Sequence, residues 1–108
     1  MLNTSTHKQG DILVVTLDGR IDASSAKPLE EQFLQWIDGG EHRLVIDFSG
    51  VNYISSAGLR VFLLVAKRIG AAEGSVKLCA LNPTLREVFD ISGFSRLFDI
   101  AATVQETL

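Results

Sequence analysis

The residues best placed to do chemistry lie between Tyr53 and Leu64, in the stretch YISSAGLRVFLL. Ser55 and Ser56 stand where a loop gives way to a helix, and Ala57-Gly58 follows them. A serine at such a junction can cap the helix, because its hydroxyl accepts from a free backbone N–H. The corner also lies at the end of a sheet, on the surface. A phosphate placed there would sit beside unpaired N–H groups and the positive end of the helix dipole. Gly58 carries no side chain and would let another protein's surface come close. The helix behind is broadly apolar. Leu59, Phe62, Leu63, Ala66 and Ile69 form a stripe, Val61, Leu64 and Val65 widen it, and only Arg60, Lys67 and Arg68 are clearly polar. A surface helix needs an apolar stripe of about 100°. The excess must be covered by other elements or offered to a partner.

Other chemistries find little support. A serine nucleophile needs a positioned base, usually histidine. His7 and His42 fall in an expected strand and an expected turn, without a suggestive acidic partner, so no catalysis is expected. They also lack ligand-like spacing. The one cysteine, Cys79, cannot form an internal disulfide or a metal site and reads as a buried strand residue. No cofactor and no metal are implied. A net charge of −3 argues against nucleic acid as a partner. The longest apolar run, Val61 to Ala66, is cut off by Lys67 and Arg68, far short of the ~20 residues that cross a bilayer. The opening MLNTSTHKQG lacks the apolar stretch of a secretory signal. A cytoplasmic protein without membrane insertion is the expectation.

These residues need a scaffold, and 108 residues suffice for one domain, expected to span 1–108. A strand at about 2–8 should pair across Gln9-Gly10 with Asp11–Leu17, which ends at the turn signal Asp18-Gly19. A short extension, 19–22, follows. Ala26, Leu29, Phe33, Trp36 and Ile37 share one face of a helix over Ala23–Gly40, capped by Ser24 or Ser25. Arg43–Phe48 is rich in branched apolar residues and suits a strand buried on both faces. A loop, Ser49–Ser55, then leads to a helix over Ser56–Ile69. Val76–Leu81 reads as a strand. Asn82-Pro83 opens a helix that Ser92-Gly93 closes. Leu97–Ile100 is a last strand and Thr103–Leu108 a helical turn. The order β-β-α-β-α-β-α-β-α predicts an α/β fold with a mixed sheet of about four to five strands and helices packed mainly on it.

The segment ISSAGLR, after a buried strand and a short loop, resembles the signature of the STAS family of anti-sigma factor antagonist domains. That signature is an aspartate, a serine, a small residue, glycine and leucine at the start of the second helix. LDGRIDASSAKPLEEQF resembles the family's second strand and first helix, with Asp22 ending the turn. LVIDFSGVNYI resembles its third strand and loop, and LCALNPTLREVFDISGFSRLFDI the region from the fourth strand through the fifth. The resemblance implies phosphorylation at Ser56, with Ser55, in the aspartate's place, as the alternative. It implies a partner surface made of Asp22, Ser55, Ser56, Ala57, Gly58, Leu59 and Arg60. The implied partners are an anti-sigma factor that is also a serine kinase and a PP2C-type serine phosphatase. Unphosphorylated, such a protein binds the kinase and frees the sigma factor; phosphorylation releases it and the phosphatase resets it. The family also contains non-switching members, such as subunits of lipid-transport ABC systems and sensor-complex scaffolds, and these are the alternative. Asp22, and Asp47 with it, would then lie near the serine's end of the sheet and add to the phosphate's repulsion.

Overall fold

A computed structural model describes residues 2–108. The apolar alternation of Leu13, Val15 and Leu17 turns those side chains to one face of a strand, β2 (Ile12–Ile21), where they are buried. Gly10, at φ +63°, makes the tight turn that sets β1 (Leu2–Gln9) antiparallel beside it. From there α1 (Ala23–Asp38), β3 (Arg43–Ile54), α2 (Ser56–Ala71), β4 (Ser75–Cys79), α3 (Pro83–Ile91) and β5 (Asp99–Ala101) follow. The strands lie in the order β1-β2-β3-β4-β5, and every pairing after the first is parallel.

All three long helices lie on one face. Each crossover joins neighbouring parallel strands, and crossovers of one hand stack their helices on one side. The main core accordingly combines Phe33 of α1, Phe62 of α2 and Phe89 of α3 with Leu17, Ile46 and Leu78 of the sheet. This arrangement accounts for the broad apolar girth of α2. It is the middle helix, and its buried Val61, Phe62, Val65 and Ile69 are flanked by half-buried Leu59 and Ala66 packed on the same core. Among the described residues the exposed large apolar side chains are Tyr53, Ile91, Leu97 and Leu108, none of them on α2. Most of the stripe is therefore covered from within, while Leu63 and Leu64 stay half-buried outside the core.

Several boundaries differ from expectation: β4 ends at Cys79 rather than Leu81, β5 covers Asp99–Ala101 rather than Leu97–Ile100, and four further differences follow. First, β2 does not stop at Asp18-Gly19; it runs on to Ile21 through register shifts between Thr16 and Asp18 and between Gly19 and Arg20. Second, the expected loop 49–55 is strand as far as Ile54, because β3 follows β2 outward. β3 pairs with β4 only from Arg43 to Asp47, so beyond that point β2 and β3 form a ribbon projecting past the β4 edge. Third, Asp22 caps α1 rather than Ser24 or Ser25. Ile21 is still strand, which leaves Asp22 as the first residue free to turn, and Ser25 returns the bond by accepting from the Asp22 N–H at 2.9 Å. Fourth, the terminal helical turn is a 3-10 turn at Gln105–Thr107.

The helix-free face carries a small second cluster of Val14, Val45 and Cys79, on which Val104 packs. Burial, reinforced by the charge of Asp47, pushes the Cys79 thiol up to about 11. At neutral pH it is a neutral, unreactive core residue.

Candidate functional site

The β2–β3 ribbon ends at Ile21 and Ile54, and two helices start from its two strands. The Ser55 N–H donates to the Ile21 carbonyl at 2.8 Å, which ties the start of α2 to the end of β2. Ser55 is the cap. Its backbone is extended, at φ −92° and ψ 171°, and its hydroxyl accepts from the Gly58 N–H at 3.1 Å. Ser56 is the first helical residue and is exposed, while Ser55 is half-buried. The two hydroxyls thus differ in availability: one closes the helix and the other faces solvent.

Asp22 stands at the neighbouring helix start. Its carboxylate accepts from the Ser24 hydroxyl at 2.7 Å and from the Ser24 and Ser25 N–H groups at 3.0 and 3.1 Å. The Ser24 hydroxyl, followed by the Ser25 amide, holds the Asp22 carboxyl below the usual carboxylate range. It remains a fixed negative charge beside Ser55 and Ser56 at any neutral pH. Asp47 does not join it. Leu44, Ile46 and Phe48 point to the helices, so Asp47 falls with Val45 on the opposite face, where it accepts from the Ser49 N–H at 2.9 Å.

Ala57 and Leu59 are half-buried and Arg60 is exposed, so these three remain near the surface around Ser56. Gly58 does not. It is buried against the sheet, and a Cβ there would lie 2.6 Å from Ile21 Cγ2 and 2.9 Å from Ile54 Cγ1. Its missing side chain lets α2 approach the ribbon, not a partner approach α2. Gly58→Val is expected to destabilise the fold by about 2 kcal/mol or more, since overpacking a core costs about 1–3 kcal/mol and the strand ends cannot move apart freely. Urea unfolding measures this; an unchanged midpoint would show that the helix seats without the close contact.

Neither histidine reaches this corner. His7 pairs with Val14, far down β2 from Ile21, and His42 precedes the opposite end of β3. Among the described residues no cluster of three or more His, Cys, Asp or Glu is gathered, and no helix is long and apolar enough to cross a membrane.

A five-stranded mixed sheet with its helices on one face and a serine-led second helix is an architecture with known relatives. The family model of the STAS domain matches residues 3–107. The chain belongs to the STAS domain family. It is 46% identical over 90 residues to BtrV of Bordetella bronchiseptica, a candidate anti-sigma factor antagonist, covering 83% of this chain and 78% of that protein. It is 33% identical over 101 residues to the anti-sigma-B factor antagonist of Bacillus subtilis, covering 94% and 92%. A crystal structure of an anti-sigma factor antagonist from Mycobacterium paratuberculosis superposes with a TM-score of 0.90 at 24% identity, covering 98% of this chain and 90% of that one.

This STAS domain also brings to the corner residues that the sequence did not single out. A shallow groove of about 250 Å³ runs between Ala23, Lys27 and Glu30 of α1 and Ala57, Arg60 and Val61 of α2. Lys27 and Glu30 form an exposed pair at 3.5 Å. On the ribbon, the Arg20 guanidinium lies 4.3 Å from the centre of the Tyr53 ring. Helical spacing from Ala23 marks Lys27 and Glu30 as one face. Nothing local marks Arg20 and Tyr53 as neighbours, because their pairing depends on the register shifts.

Proposed function

We propose that this STAS protein is an anti-sigma factor antagonist controlled by phosphorylation of Ser56. Unphosphorylated, it binds a serine-kinase anti-sigma factor in the bacterial cytoplasm and so frees the sigma factor. The kinase transfers the γ-phosphoryl group of ATP to the Ser56 oxygen, the hydroxyl proton leaves to the kinase, and ADP departs. The phosphorylated chain lets go, and a PP2C-type serine phosphatase resets it by hydrolysis. The chain performs no catalysis of its own. Asp22, Ser55, Ala57, Leu59 and Arg60 form the partner surface around the switch.

The observation that carries this reading is the division of labour between the serines. Ser55 is engaged as the cap, while Ser56, one residue on, is exposed at the helix start. The names of the relatives support the antagonist role. The physics of release is local. Phosphate brings about −1.5 to −2 charge, beside the fixed charge of Asp22. Placed inside a docked interface, that charge must be desolvated or expelled, and no rearrangement of this chain is needed.

The test is to incubate the protein with its cognate kinase and ATP and map the phosphate by mass spectrometry. Label is expected on Ser56. Ser56→Ala should abolish it, and Ser55→Ala should retain it while losing the cap, which costs about 0.5–2 kcal/mol of stability. Phosphate on neither serine, or only on Ser55, would overturn the assignment.

A further inference from the structure

At its outer end the ribbon is two strands and nothing more. β4 leaves β3 after Asp47, and among the described residues β1 reaches β2 only as far as Gly19. Arg20 and Ile21 therefore pair with Tyr53 and Ile54 alone. Their register is not inherited from the rest of the sheet. From Thr16 to Ile21 β2 takes five steps, while β3 takes seven from Asp47 to Ile54. Such bulges disrupt the ladder and sharpen the twist, and two strands by themselves are marginal in water. Yet both helix starts hang on these last two pairs. The Ser55 N–H, which opens α2, donates to the Ile21 carbonyl at 2.8 Å. The Ser25 hydroxyl, in the first turn of α1, donates to the Arg20 carbonyl at 3.0 Å.

The two pairs are gripped from both faces. On the helix side Ile21 and Ile54 are buried, against Gly58. Neighbouring side chains on a strand point to opposite faces, so Arg20 and Tyr53 turn to the helix-free side. There the Arg20 guanidinium lies 4.3 Å from the centre of the Tyr53 ring, within reach of its electrostatic attraction for a cation. Among the described residues Arg20 forms no ion pair, so no carboxylate competes with the ring.

We propose that Arg20 and Tyr53 are a clasp across the ribbon end, and that the clasp positions Ser56 for phosphoryl transfer. Both are positioning residues. They face away from α2 and act through the strand ends that carry the two helix caps, Asp22 and Ser55. The clasp itself stands on the geometry alone; its effect on transfer rests on the phosphorylation reading above. In-line transfer is sensitive to placement, since a shift of about 1 Å can cost on the order of a hundredfold in rate. A ribbon free to change its twist would move the start of α2 relative to the start of α1.

Amide hydrogen exchange of the full chain, followed by NMR, tests the clasp. The Ser55 and Gly58 amides, which bond to the Ile21 carbonyl and the Ser55 hydroxyl, report opening of the corner. In Tyr53→Leu and in Arg20→Met they should exchange about two- to fivefold faster, the worth of an exposed cation–aromatic contact. Tyr53→Phe, which keeps the ring, should match the wild type. The double variant Arg20→Met with Tyr53→Leu should be no faster than either single one. The amides of Val15 and Ile46, in the body of the sheet, should not change, which separates local opening from lost stability. Equal exchange at Ser55 and Gly58 in all variants, or acceleration spread evenly over the sheet, would overturn the clasp. The second arm measures steady-state phosphorylation of Ser56 by the cognate kinase. Tyr53→Leu and Arg20→Met should lower kcat by about threefold or more with KM held, and Tyr53→Phe should restore it. A raised KM at constant kcat would mean that the pair touches the kinase, and unchanged kinetics beside faster exchange would mean that the clasp does not position the serine; either overturns the positioning role. A wild-type chain that takes no phosphate at Ser56 would sink the switch and that role with it, while the exchange data still decide the clasp.

Discussion

Ser56→Glu is expected to weaken binding to the anti-sigma factor by more than about 100-fold, equivalent to roughly 3 kcal/mol, while leaving the fold intact. The two halves of that result have separate causes. In the docked complex the new carboxylate would be buried without a partner, and an uncompensated charge in an interface costs about 2–5 kcal/mol. In the free protein the same carboxylate sits at the first position of α2, where an anion interacts favourably with the helix dipole by about 0.3–1 kcal/mol. The melting temperature should therefore hold or rise slightly. Ser56→Ala gives the complementary result, with binding kept and phosphorylation lost. The same substitution at Ser55 would behave differently, because that hydroxyl accepts from the Gly58 N–H and its loss loosens the helix start. Calorimetry beside a thermal melt reads both halves. Full affinity in Ser56→Glu would show that the serine lies outside the docked surface.

The elements were legible where local pattern and tertiary demand agree. Alternation at Leu13, Val15 and Leu17 marks a strand, and the spacing of Ala26, Leu29, Phe33 and Ile37 marks a helix; all are buried as that reading requires. The misreading of 49–55 has a physical cause. Ser49, Gly50 and Asn52 are turn-formers and exposed, and they are strand only because β2 runs beside them. Gly50 shows the dependence: a Cβ there would meet Asp18 Oδ1 at 2.9 Å and the Leu17 carbonyl at 3.0 Å. No window of sequence contains both partners. Asp47 and Gly58 are different, since their signals were present. Counting in twos from Leu44 puts Asp47 on the far face, and counting in threes and fours back from Val61, Phe62 and Val65 puts Gly58 on the core face. The Arg20–Tyr53 contact on the ribbon and the groove that Lys27 and Arg60 line lie at the other extreme. The first joins two strands, the second two helices, and each exists only once those elements have met.

Phe62 seats the helix that begins at Ser56, and Phe62→Ala is expected to destabilise the domain by about 3–5 kcal/mol. Phe62 is fully buried, and its ring meets Phe33 of α1 at 5.9 Å and Phe48 of β3 at 5.2 Å. Phe48 in turn meets Phe89 of α3 at 5.9 Å. One side chain thus joins the middle helix to α1 and, through β3, to α3. Removing it leaves a cavity bounded by aromatic rings that are each held by other neighbours and cannot close in without moving a helix or a strand. Total stabilities are about 5–15 kcal/mol, so the loss should be visible as a large fall in the urea midpoint. Phe62→Leu, which keeps most of the volume, should lose markedly less. The effect should also reach the switch. α2 carries Ser56 at its first position and Arg60 in its next turn, so a helix that seats poorly presents both in the docking geometry for a smaller fraction of the time. Apparent affinity then falls in proportion to that fraction, without any contact to the partner having been removed. A loss below about 1 kcal/mol in Phe62→Ala would mean that the rings of Phe33 and Phe48 collapse onto one another, and that α2 is seated by Val61, Val65 and Ile69 instead.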